Sequence, residues 1–135
     1  MVHVLFVGQK IEMNAPEQIM PDYGEWPDAW SGTEEDIPYG NALIEAMRPF
    51  IVYLMDQGLK KSTVRNHMDN LWLLGGEIIR SVSTNDEYET SPEDILRRSV
   101  DQDGGLYCRH LTSEAEVRFY ESTCRKLSKF LESKY

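Results

Sequence analysis

Apolar side chains recur at helical spacing along most of this chain, and the pattern changes character near residue 41. Leu43, Met47, Phe50, Ile51 and Leu54 fall on one helical face, and Gly58 stands where a C-terminal cap belongs. Pro49 lies inside this run, so it either kinks one helix or opens a second at its first turn. Ser62 is placed to cap a helix over residues 63–82, with Val64, Met68, Leu71, Trp72, Ile78, Ile79 and Val82 on a broad apolar face. Gly75 interrupts that face at a cost of about 1 kcal/mol against alanine, which calls for the close approach of another helix. Ser91-Pro92-Glu93-Asp94 opens a short helix ending near Asp101, before Gly104-Gly105. The last helix starts at Thr112 or Ser113, where Ser113 and Glu116 are spaced for a capping box. Val117, Tyr120, Cys124, Leu127 and Leu131 then make a buried seam.

Residues 1–40 lack this periodicity. Val2–Val7 is apolar and short, as a strand would be, and residues 13–40 then hold Pro16, Pro21, Pro27 and Pro38 among acids and glycines. Proline removes a donor and disfavours helix at the residue before it. Trp26 and Trp30 argue against free disorder, since disordered tails are poor in aromatics. The reading is an all-α protein: an orthogonal bundle of four or five helices over residues 41–135, preceded by an extended acidic arm over residues 1–40. The arm either docks its rings on the bundle or orders on a partner.

Charge sharpens that division. The chain carries a formal charge of -9, and residues 1–40 hold eight acids against Lys10 alone, leaving -2 for the remainder. The near-neutral remainder removes an objection to nucleic-acid binding without supporting it. No apolar run is long enough to cross a bilayer, and Val2–Val7 has neither a basic leader nor a small-residue cleavage site. Two cysteines do not make a disulfide framework, so the expectation is a reduced, cytoplasmic protein.

Candidate chemistry is sparse. Cys108, His110, Cys124 and His67 lack the paired spacings of a structural zinc site, and Cys124 lies in the apolar seam. Arg109 and His110 beside Cys108 supply local positive charge, but neighbours in sequence rarely face one another, and nothing marks an oxyanion hole. No glycine-rich phosphate loop is present. Neither a metal, a cofactor nor a catalytic residue is therefore expected.

Two charged faces remain. On the last helix Arg118, Arg125 and Lys129 form a stripe away from the seam, with Glu114 and Glu121 placed four residues ahead of the two arginines for ion pairing. On the helix at 63–82, Arg65, Asp69, Leu73, Gly76 and Arg80 form an outward stripe. There Leu73 beside a glycine either admits a partner protein, a second copy included, or lies beneath the arm. Lys60, Lys61, Arg65 and His67 gather positive charge at this helix's start.

The run Pro49-Phe50-Ile51-Val52-Tyr53-Leu54-Met55-Asp56-Gln57-Gly58-Leu59-Lys60-Lys61-Ser62-Thr63-Val64-Arg65-Asn66-His67 resembles the N-terminal core-binding, SAM-like domain of phage-integrase-type tyrosine recombinases. The resemblance extends loosely over residues 41–133. It implies a four-helix domain that clamps double-stranded DNA, with Lys60, Lys61 and Arg65 matching the basic start of its second helix. The family's catalytic Arg, His-x-x-Arg and Tyr set has no match here, so no catalytic role is implied. The acidic arm departs from the family. The stretch Asp69–Arg80 also resembles small bacterial proteins without an established function. Two readings follow: a non-catalytic domain that binds DNA weakly, regulated by its arm, or a protein-interaction module or homodimer using the Leu73–Gly76 face. The first expects removal of residues 1–40 to strengthen DNA binding.

Overall fold

Proline opens helices in this chain more often than it ends them. In the computed structural model, which describes residues 15–134, Pro16 leads a 3-10 turn (Pro16–Gln18) and Pro27 is second in helix α1 (Trp26–Trp30). Pro38 is third in α2 (Asp36–Asp56). The N–H that proline lacks is one that a first helical turn leaves unbonded, so the ring fits there without loss. The described part of the arm is accordingly built from short helical turns, with a second 3-10 turn at Tyr23–Glu25. The strand expected at residues 2–7 lies outside the described residues.

α2 begins at Asp36, five residues before the sequence-based boundary, because Asp36 organises the turn that precedes it. Its Oδ2 accepts from the Gly32 and Thr33 amides at 2.8 and 3.1 Å, and its Oδ1 accepts from the Tyr88 hydroxyl at 2.7 Å. Burial alone would raise this carboxyl's pKa, yet the hydrogen bonds from Tyr88, Gly32 and Thr33 together hold it below the usual aspartate value. The helix passes Pro49 without a break and ends at Asp56, followed by Gly58 at φ +75°.

α3 (Lys61–Asn85) starts two residues earlier than expected, and its N-cap position is Lys60 without a side-chain cap, so Ser62 is a first-turn residue. α4 (Pro92–Ser99) has the expected cap, with Ser91 Oγ accepting from Asp94 N at 3.1 Å. A hairpin of two-residue strands, β1 (Val100–Asp101) and β2 (Gly104–Gly105), follows, its turn closed by Asp101 Oδ1 accepting from the Asp103 and Gly104 amides. α5 (Glu114–Lys134) opens on the expected capping box: Glu116 N donates to Ser113 Oγ at 3.1 Å and Ser113 N to Glu116 Oε1 at 3.2 Å.

The described residues thus form an all-α bundle of five helices around one core. α2 and α3 supply most of that core, and α4 and α5 add Ile95, Leu96, Tyr120, Cys124, Leu127 and Leu131. The arm is part of it. Tyr23 and Trp26 are buried, and the Tyr23 hydroxyl donates to the Ile44 carbonyl. The close approach foreseen at Gly75 is made by a ring rather than by a second helix. A Cβ at Gly75 would lie 2.2 Å from Trp30 Cζ2, so only glycine admits the indole, whose Nε1 donates to the Trp72 carbonyl at 2.9 Å.

Candidate nucleic-acid interface

Among the described residues, most of the cations fall into two sets. Arg48, Arg80, Arg97 and Arg98 are the cations in ion pairs among the described residues. Arg48 is the most firmly held: it bonds both oxygens of Glu17, at 2.9 and 2.8 Å, and lies over the Tyr23 ring. Lys60, Lys61, Arg118, Arg125, Lys126 and Lys129 are exposed and belong to none of those pairs. The pairs expected from Glu114 to Arg118 and from Glu121 to Arg125 do not form among the described residues.

Helical spacing gathers these free cations. At about 100° per residue, Arg118, Arg125, Lys129 and Lys126 share the outer face of α5, along a stripe of about 16 Å. Beside it runs a shallow groove of about 450 Å³ lined by Tyr53 and Leu59 on one side and Lys126, Lys129 and Phe130 on the other. Lys60 and Lys61 follow Leu59, a lining residue of the groove, directly in sequence, Lys61 being the first residue of α3. Tyr53 is 43% exposed, with its ring stacked on Phe50 and 5.1 Å from Phe130. Phe119 is exposed farther along α5, against His67. This face therefore carries aromatic rings beside cationic side chains.

His67 is not part of that surface. It is buried, with Nδ1 2.7 Å from Thr123 Oγ1, and Asn70 Nδ2 donates to the same oxygen at 2.9 Å, which ties α3 to α5. Burial, and then the nearby charge of Lys126, hold its pKa below the ordinary histidine value.

Arg65 has a different occupation from its neighbours Lys60 and Lys61. Its Nη2 donates to the Ile19 carbonyl at 2.8 Å, fastening the arm's first turn to α3. The described arm leaves Lys60 and Lys61 exposed. Removing residues 1–40 would also take Tyr23, Trp26 and Tyr39 from the core. Its effect on binding would be inseparable from its effect on folding.

The other outward positions of α3 surround Trp72. Asp69 lies on one side of it, while Leu73, Gly76 and Arg80 line a small cavity on the other, together with Trp30 and His110. Leu73 is half-buried against the core, and Trp30 Cδ1 lies 3.4 Å from where a Gly76 Cβ would be. Trp72 itself was expected on the core face but is 40% exposed. It follows Leu71 by one residue, about 100° round the helix, and Leu71, Leu74 and Ile78 already define the buried stripe.

Sequence reasoning missed Lys126, Tyr53 and Phe130. The pair Arg125-Lys126 was a signal, but the groove exists only once α2, the 57–61 loop and α5 meet. Cys108 and Cys124 are free and buried, and burial pushes the Cys124 thiol up to about 12, so it stays protonated and inert near neutral pH. Among the described residues no group of three or more His, Cys, Asp or Glu side chains is placed to hold a metal ion, and no helix is long and apolar enough to cross a membrane. No protein-family model, curated protein or solved structure matches the chain.

Proposed function

We propose that the chain is a non-catalytic accessory domain that binds double-stranded DNA weakly, through its phosphate backbone, on the face formed by α5 and the loop before α3. The observation that carries this reading is a set of six exposed cations, Lys60, Lys61, Arg118, Arg125, Lys126 and Lys129, in none of the ion pairs among the described residues; Lys126 and Lys129 line the groove, Arg118 and Arg125 share their helix, and Lys60 and Lys61 follow its lining residue Leu59 in sequence. Cations in fixed geometry attract a polyanion by releasing its condensed counterions, and this gives affinity without sequence reading. The net charge of -9 opposes the approach of DNA, so the affinity is modest and falls steeply with salt. Much of the acidity lies in residues 1–40 rather than on α5. Lys60 and Lys61 keep the role the family resemblance implied for them, whereas Arg65 acts in fastening the arm.

The test is fluorescence anisotropy with a labelled duplex, using the full chain over a range of salt. Six phosphate contacts predict that log K falls with log salt at a slope of about -5, and Lys126→Glu with Lys129→Glu reduces that slope to about -3.5. Binding that ignores salt, or that survives reversal at both lysines unchanged, overturns the reading.

A further inference from the structure

A second cleft, of about 590 Å³, lies between the arm and α3 and has the opposite character. Its floor and walls are apolar, made by Met20, Trp26, Ala29 and the exposed ring of Trp72. Its rim carries Asp22, Glu25, Asp28 and Asp69, none of which is in an ion pair among the described residues. Among the described residues no cation lines it: the guanidinium of Arg65, the nearest cation in sequence to Asp69, is directed to the Ile19 carbonyl. The arm side of the cleft is held by its own contacts. Trp30 bonds the Trp72 carbonyl, and Trp26 is locked between Tyr23 and Trp30 at ring distances of 4.6 and 5.9 Å.

We infer that this cleft docks an arginine- or lysine-bearing segment of a partner protein, one cationic side chain lying against the Trp72 ring with the rim carboxylates around it. Charge complementarity selects the occupant, because the four rim carboxylates, with Arg65 only partly offsetting Asp69, repel an anionic one. The aromatic wall suits a guanidinium in particular, being flat and weakly hydrated. Partial desolvation raises the Asp69 carboxyl above the ordinary value, Arg65 opposes this and Asp22 adds to it. The chain already uses this combination once, where Arg48 joins Glu17 and Glu45 and covers Tyr23. This cleft shares no residue with the cationic groove, so the inference does not depend on DNA binding.

The test uses the full chain and a fluorescently labelled peptide of alternating arginine and glycine, with citrulline in place of arginine as the neutral control. Saturable binding of the arginine peptide is expected, weakened about tenfold by Trp72→Ala and about tenfold by Asp22→Asn with Asp69→Asn. Glu114→Gln with Glu132→Gln removes the same charge outside the cleft and is expected to change affinity less than twofold, about the surface-pair scale. Circular dichroism confirms that each variant is folded, and the Asp22, Asp69 pair, being exposed, decides the matter if Trp72→Ala unfolds. Equal loss from the two charge-matched pairs, equal binding of the citrulline peptide, or no saturable binding would overturn the inference.

Discussion

Gly75→Ala should destabilise this protein although it improves the helix. Alanine in a helix interior is favoured over glycine by about 1 kcal/mol. The new Cβ, however, would lie 2.2 Å from Trp30 Cζ2 and 2.4 Å from Cη2, and the ring must leave its seat. Leaving forfeits the bond from Trp30 Nε1 to the Trp72 carbonyl, worth about 1 kcal/mol. It also exposes the buried part of a half-buried indole; at roughly 100 Å² and 25 cal/mol per Å² this is about 2.5 kcal/mol. The net expectation is a loss of about 2–3 kcal/mol after the gain in propensity. Gly76→Ala is the internal control, because its Cβ meets Trp30 Cδ1 at 3.4 Å, an ordinary contact. It should be neutral or stabilising by up to about 1 kcal/mol. The sharper test is the double variant. In a Trp30→Ala background nothing occupies the seat, so Gly75→Ala should reverse sign and stabilise. Urea denaturation followed by far-UV circular dichroism measures the four variants and the unsubstituted protein without relying on tryptophan emission. If Gly75→Ala is as stable as Gly76→Ala, or destabilises equally with and without Trp30, the seat is not what the glycine serves.

Three further outcomes follow from other contacts. Because burial and Lys126 depress His67 in the folded state, the unfolded chain binds a proton near the ordinary value of 6.5 that the folded chain resists. Stability should therefore fall as pH drops below that value, and His67→Gln should flatten the loss in urea midpoints between about pH 7.5 and about pH 5.5. Asp36, whose pKa is lowered, contributes its own loss only as pH falls below the ordinary aspartate value of 3.8, so the windows separate. Ser91→Ala removes the acceptor of the Asp94 amide and should cost about 1 kcal/mol in chemical denaturation. Gly105→Ala places a Cβ 2.5 Å from Cys124 Sγ and should lower Tm, with a cost of about 1–3 kcal/mol that Cys124→Ala partly relieves.

What was legible in the sequence was local. The caps at Ser91 and at Ser113 with Glu116 depend on hydrogen bonds spanning three residues, so spacing alone places them. The seam of α5 and most of the buried stripe of α3 follow in the same way from helical period. The need for close approach at Gly75 was also visible, because mid-helix glycine is costly, but its occupant, Trp30, lies 42 residues from Trp72, whose carbonyl it bonds. The arm read as extended because its prolines were counted as breakers, whereas Pro16 and Pro27 sit at positions where helices accept them. The hairpin after α4 went unseen: its strands are two residues each, too short for an alternating pattern, and only the Asp101 turn holds them. Of the cationic face, Lys60 and Lys61 could be found from their run and Lys129 from the α5 stripe. Lys126 gains its setting from Tyr53 and Leu59, which no spacing rule connects to it.

Amide chemical-shift mapping of the full chain with a short duplex decides whether DNA meets the cationic face, because it reports where contact occurs as well as whether it does. Progressive shifts are expected over residues 53–61 and the outer face of α5, from Arg118 to Lys129, fading as salt is added. Shifts centred on Trp72 and Asp69, or no shifts at low salt, would contradict that contact.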